Sequence, residues 1–176
     1  MSPQVGYAKT MDTASAAIRD AAAADHAAIL ALNLESEALV SPMDAARLRD
    51  LDAQAAYHRV AEVDGEVAAF LLAFRDGADY DSPNYRWFAE RYPQFLYVDR
   101  IVVSSAWQGR KLGNALYEDL FAFARECDVP LVTCEFYTVP FNEGSSRFHA
   151  KFGFREVGRQ WVQDGKKEVS LQIAAP

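Results

Sequence analysis

Phe95 to Val103 reads as a buried strand, and soon after it the chain enters a helix striped with Leu116, Leu120, Phe121 and Ala124. The two are joined by a glycine-bearing loop, Gln108-Gly109-Arg110-Lys111-Leu112-Gly113. Pro130 marks the end of that helix, and Leu131 to Tyr137 is a second buried strand. Strand, loop, helix, strand is the unit of a sheet with a parallel centre. This unit constrains the fold more than any other stretch: the class is α/β, with a mixed sheet whose middle strands are partly parallel.

The rest of the chain continues the alternation. Ala16 to Asp20 has the pattern of a short strand, and residues 1–13 read as a loose tail. Asp25, after an alanine run, is placed to cap a helix through Ile29, Leu30, Leu32 and Leu34. Ser41-Pro42 breaks the chain, and Pro42 suits the first turn of a helix through Leu48 and Leu51. Asp64-Gly65 between Tyr57–Val63 and Glu66–Arg75 signals a hairpin, as does Asp164-Gly165 between Phe154–Val162 and Lys166–Ile173. Asp76 to Pro93 is long for a plain connection, and a helical turn is expected between Asn84 and Tyr92. No linker or repeat divides the chain, so one domain is expected over residues 1–176.

Composition removes several classes of function. Eighteen basic and twenty-five acidic residues leave a net charge of -7, which argues against a nucleic-acid binder and against docking on anionic membranes. No apolar run is long enough for a bilayer span, and the N-terminus lacks a signal-peptide pattern. Cys127 and Cys134 match no zinc spacing and form no multi-bridge framework, so no metal and a cytoplasmic setting are expected.

A loop such as 108–113 at a helix N-terminus points backbone N–H groups outward beside the positive end of the helix dipole, where phosphate binds well. It lacks the Gly-Lys-Ser/Thr ending of a P-loop and the three-glycine spacing of a dinucleotide fingerprint. A second cluster follows: Asn142, Ser145, Phe148, His149, Gly153 and Phe154 lie in one short helix and its exit. Together with Val103 and the loop ends Gln108 and Gly113, this order resembles the GNAT superfamily of acyl-CoA-dependent N-acetyltransferases. There are two departures. Lys111 stands where the family's loop has its middle glycine, and an ordinary φ is expected for it. His149 stands where the family often has tyrosine.

The resemblance implies a GNAT fold, acetyl-CoA as co-substrate, and transfer of acetyl to an amine of a small molecule or peptide by direct attack in a ternary complex. It implies that the backbone of Ile101, Val102 and Val103 pairs with the pantetheine arm. Gln108, Gly109, Arg110, Lys111, Leu112, Gly113 and Asn114 would hold the pyrophosphate. Asn142 and Ser145 would hold the arm from the other side, although Asn142 is equally suited to be a helix N-cap. His149 would protonate the departing thiolate, with Tyr137, Tyr97 and Tyr117 as other donors. Asp99 and Glu135 are the candidate bases. Strand alternation places Tyr97, Asp99, Ile101 and Val103 on one face, and an ion pair with Arg100 is the competing role for Asp99. Tyr80, Tyr85, Trp87, Phe88 and Tyr92 either wall the acceptor pocket or cover the core. A non-catalytic acyl-CoA-binding regulatory module is the alternative, and a homodimer is compatible with the resemblance.

Overall fold

Glu66–Arg75 (β3) is apolar along nearly its whole length and is buried on both faces, which fixes it near the middle of a covered sheet. The computed structural model describes residues 16–176, so the tail expected over 1–13 lies outside the described residues. The other strands are Ala17–Asp20 (β1), Tyr57–Val63 (β2), Leu96–Val103 (β4), Val132–Val139 (β5), Arg155–Val162 (β6) and Lys167–Ala174 (β7). They form one seven-stranded sheet in the order β1-β2-β3-β4-β5-β7-β6. All neighbours are antiparallel except β4 and β5, which run parallel.

The helices cover both faces. His26–Glu35 (α1), Ala45–Gln54 (α2) and Pro83–Ala89 (α3) lie on one side, over Phe70, Leu72 and Phe74 of β3. Leu112–Glu126 (α4) and Glu143–Lys151 (α5) lie on the other. There Leu116, Tyr117, Leu120 and Ala124 pack on Leu71, Leu96, Val98 and Val132. Burying such an apolar stripe contributes roughly 1.5–3 kcal/mol per large side chain. Among the described residues, no helix is long and apolar enough to cross a membrane.

Three local expectations change. The second helix begins at Ala45, because the Asp44 side chain accepts the Arg47 N–H at 2.7 Å and so caps it after Pro42 has passed. Asp25 does sit at the start of α1, but its carboxylate binds Arg19 and the Ala22 N–H instead of capping the helix. The hairpin at Asp164-Gly165 has a longer turn than two residues, with Gln163, Asp164 and Gly165 all at positive φ.

One irregularity shapes everything that follows. Leu72 of β3 pairs with Arg100, but its neighbour Ala73 pairs with Val98, so Asp99 is an extra residue in β4. The bulge inverts the alternation. Tyr97 joins the core under α3, whereas Ile101 and Val103 turn towards α4. The single face expected for Tyr97, Asp99, Ile101 and Val103 is therefore split at Asp99.

Candidate active site

β4 and β5 pair only at Leu96–Val132 and Tyr97–Thr133. Beyond that point the two strands part, and the backbone of β4 from the bulge to Val103 faces a gap. The gap opens into a cavity of about 1000 Å³ that reaches from the loop before α4 to the segment before α3. Every residue expected at the site lines it except Val102 and Arg110. Val102 buries its side chain with Phe70 and Val60 on the opposite face, so only its main chain is available. Arg110 lies over the Trp107 ring, 4.6 Å from its centre.

The loop at the α4 N-terminus leaves its amides open. Among the described residues, no amide from Gln108 to Asn114 donates to a backbone carbonyl, which leaves the first turn of α4 with open donors. Lys111 departs from its expected ordinary φ: it adopts the left-handed conformation, φ 61°, as N-cap of α4. The turn geometry is thus the one a glycine would supply, kept here at a cost of about 1 kcal/mol. A Cβ at Gly113 would sit 3.4 Å from Phe148 and 3.8 Å from Ile101, ordinary contact distances, so packing alone does not require glycine there.

Across the gap, Asn142 caps α5, its Oδ1 accepting the Ser145 N–H at 3.0 Å. His149 is buried and has both ring nitrogens engaged. Nδ1 lies 2.7 Å from the Ser145 carbonyl, which can only accept, so Nδ1 carries the hydrogen. Nε2 then accepts from the Tyr117 hydroxyl at 2.8 Å. Desolvation lowers the His149 pKa, and the ring stays neutral at physiological pH. The pair that meets the cavity is therefore Tyr117 and His149 together, with the phenol as donor. Burial raises the Tyr117 pKa well above its ordinary 10.

The two carboxylates differ sharply. Asp99 forms a buried ion pair with Arg100, 2.6 Å, with both side chains about 5% exposed or less. Tyr80 also donates to Asp99, and Arg100 reaches on to Asn33 at 2.7 Å and to the Ser41 carbonyl at 3.0 Å. Among the described residues, Glu135 has no cationic partner. Its Oε1 accepts from Tyr97 at 2.8 Å and from Asn84 Nδ2 at 2.9 Å, while Oε2 is buried with no partner. Desolvation pushes its pKa up to about 8.

The aromatic cluster mainly covers the core. Tyr85 and Phe88 are core, Trp87 covers Gly158, and Tyr80 is buried yet borders the cavity. At the mouth Arg47 binds Asp81 at 2.6 Å and lies over Tyr80, a contact absent from the sequence reading. Asn84 and Gln160 are also unforeseen: Gln160 Nε2 donates to Asn84 Oδ1 from a strand far along the chain. No local pattern signals that contact. Tyr137 stays near the rim, under Lys167.

Comparison with known proteins agrees with this fold. Ard1 from Thermoplasma volcanium superposes with a TM-score of 0.74 at 18% identity, covering 91% of this chain and 97% of that one. yncA from Salmonella typhimurium, determined with its cofactor acetyl-CoA, gives 0.70 at 23% identity over 92% and 94%. The ribosomal-protein-S18-alanine N-acetyltransferase from Escherichia coli gives 0.69 at 15% identity over 92% and 94%. Among curated proteins, no sequence relative matches. The family model for the acetyltransferase (GNAT) family matches residues 22–154, from the start of α1 through the exit of α5. This chain, with its parted parallel strands and open-amide loop, belongs to the acetyltransferase (GNAT) family.

Proposed function

We propose that the protein is an N-acetyltransferase that moves acetyl from acetyl-CoA to a primary amine of a small molecule or peptide. The observation that carries this reading is Glu135, a buried carboxylate with one unpartnered oxygen at the point where β4 and β5 separate. Acetyl-CoA supplies the thioester that the amine attacks directly. The amides of 108–114 and the Lys111 side chain would hold its pyrophosphate, and the main chain of Ile101 to Val103 its pantetheine arm. A backbone N–H of that strand would hydrogen-bond the acetyl oxygen as charge builds on it.

Glu135 takes the proton of the amine. A lysine-like ammonium has a pKa near 10.4, so an ordinary glutamate at about 4.3 leaves the transfer roughly 8 kcal/mol uphill. Raising the carboxylate to about 8 reduces that to about 3 kcal/mol. Asp99, paired with Arg100 and Tyr80, holds the bulge that opens the gap. Tyr117, whose single hydroxyl hydrogen goes to His149 Nε2 in the resting site, would turn that hydrogen to the developing thiolate and stabilise it. A phenol whose pKa burial raises does not surrender its proton to a thiolate of ordinary pKa.

A thiol-release assay with acetyl-CoA against amino acids, polyamines, aminoglycosides and peptide N-termini tests the reading. At least one amine is expected to accelerate release. Tight acetyl-CoA binding with no acceleration by any of them would replace the reading with a non-catalytic acyl-CoA-binding module.

A further inference from the structure

The two oxygens of Glu135 are not equivalent. Oε1 accepts two hydrogen bonds, from Asn84 Nδ2 and from the Tyr97 hydroxyl. Oε2 is buried and accepts none. An oxygen whose lone pairs already serve two donors is the weaker base, so an incoming proton lands on the other. The asymmetry depends on which way the Asn84 amide points. Turned over, it would press its own oxygen against Glu135, acceptor on acceptor. Gln160 prevents this, because its Nε2 donates to Asn84 Oδ1.

We infer that Asn84 and Gln160 are positioning residues that fix Glu135 with Oε2 as its proton-accepting oxygen. The inference rests on the reading of Glu135 as the base. The support runs through four elements. Gln160 stands on β6 opposite Val169 of β7, and Val169 stands opposite Tyr137 on the strand that carries Glu135. Asn84 stands on α3, which is seated on the same hairpin by Trp87 packed over Gly158. A Cβ at Gly158 would fall 2.6 Å from Trp87 Cζ2, so the helix sits where only glycine lets it sit.

Other groups also act on Glu135. From β4 come Asp99, Arg100 and Tyr97, from the segment before α3 Tyr80, from α4 Tyr117, and from β5 itself Cys134. Substitution at Asn84 or Gln160 changes none of them. A shift in the Glu135 titration on such substitution therefore belongs to the lost donor.

The test is a carbon-13 NMR titration of glutamate carboxyls in the full chain, with Glu135→Gln to assign the signal. Asn84→Leu should raise the Glu135 midpoint by about one pH unit, the value of one lost hydrogen bond to a charged oxygen. Gln160→Leu, in which Asn84 itself is intact, should raise it by less, through loss of the amide's orientation. Midpoints that stay within a few tenths of a unit in both variants would overturn the pair. Thiol release from acetyl-CoA with the amine panel separates the two ideas. Activity lost in Glu135→Gln with unmoved midpoints removes the positioning pair alone, whereas activity retained in Glu135→Gln removes the base and the pair's function with it.

Discussion

Tyr97 donates a hydrogen bond of 2.8 Å to Glu135 across the last position at which β4 and β5 still pair. The parting of the strands and the placement of the carboxylate are thus one feature. Before that point the strands bury Leu96 and Val132; after it they leave a gap with an acid at its apex.

Holding Glu135 without a cation has a consequence for stability. Its pKa is raised to about 8 in the folded chain and returns to the ordinary glutamate value on unfolding. The folded state then binds the extra proton between about pH 4.5 and pH 8, so this group's contribution is full below that window and lost as pH rises through it. The loss amounts to roughly 5 kcal/mol. Melting temperature followed from pH 5 to pH 9 should fall more steeply in the native protein than in Glu135→Gln.

Asp99 and Arg100 should behave as structure. Removing one partner leaves the other buried and unpaired, so Arg100→Ala should destabilise by about 3–5 kcal/mol, measured by urea unfolding. Asp99→Asn should also lower stability, and its kcat should fall far less than that of Glu135→Gln. The reverse order would return the base to Asp99.

His149 orients Tyr117, so His149→Phe is expected to lower kcat while acetyl-CoA affinity, measured by calorimetry, stays within about twofold. Tyr117→Phe should show the same split. Loss of affinity in both would assign the pair to cofactor binding instead.

Lys111 holds a left-handed conformation that glycine adopts freely. Lys111→Gly should therefore leave stability unchanged or raise it by up to about 1 kcal/mol, and Lys111→Val should lower it. A large loss on Lys111→Gly in thermal unfolding would mean that the lysine side chain, not the backbone, carries the position.

Much of this was legible in the sequence, and the failures share a physical cause. The strand Phe95 to Val103, the helix beyond Gly113 and the cluster from Asn142 to Phe154 declared themselves through local pattern, and they come together along one side of the cavity. What the pattern missed depends on tertiary contact. Strict alternation along β4 failed because Asp99 bulges, a choice made by pairing with β3. Lys111 was expected in an ordinary conformation, yet the turn into α4 requires positive φ whatever residue stands there. Asp99 and Glu135 looked alike as acids in buried strands until Arg100 was seen to neutralise one and nothing the other. Asn84 and Gln160 carried no signal at all, because their meeting is made by α3 lying on β6.

The most direct test is the pH dependence of kcat/KM for acetyl-CoA-dependent acetylation of the best amine, compared between the native chain and Glu135→Gln. Native activity should rise with pH and level off above about pH 8, as Glu135 loses its proton. Glu135→Gln should be slower by about 10²–10⁴-fold and lack that limb. A variant as fast as the native chain, with the same profile, would contradict the assignment of the buried carboxylate as the base.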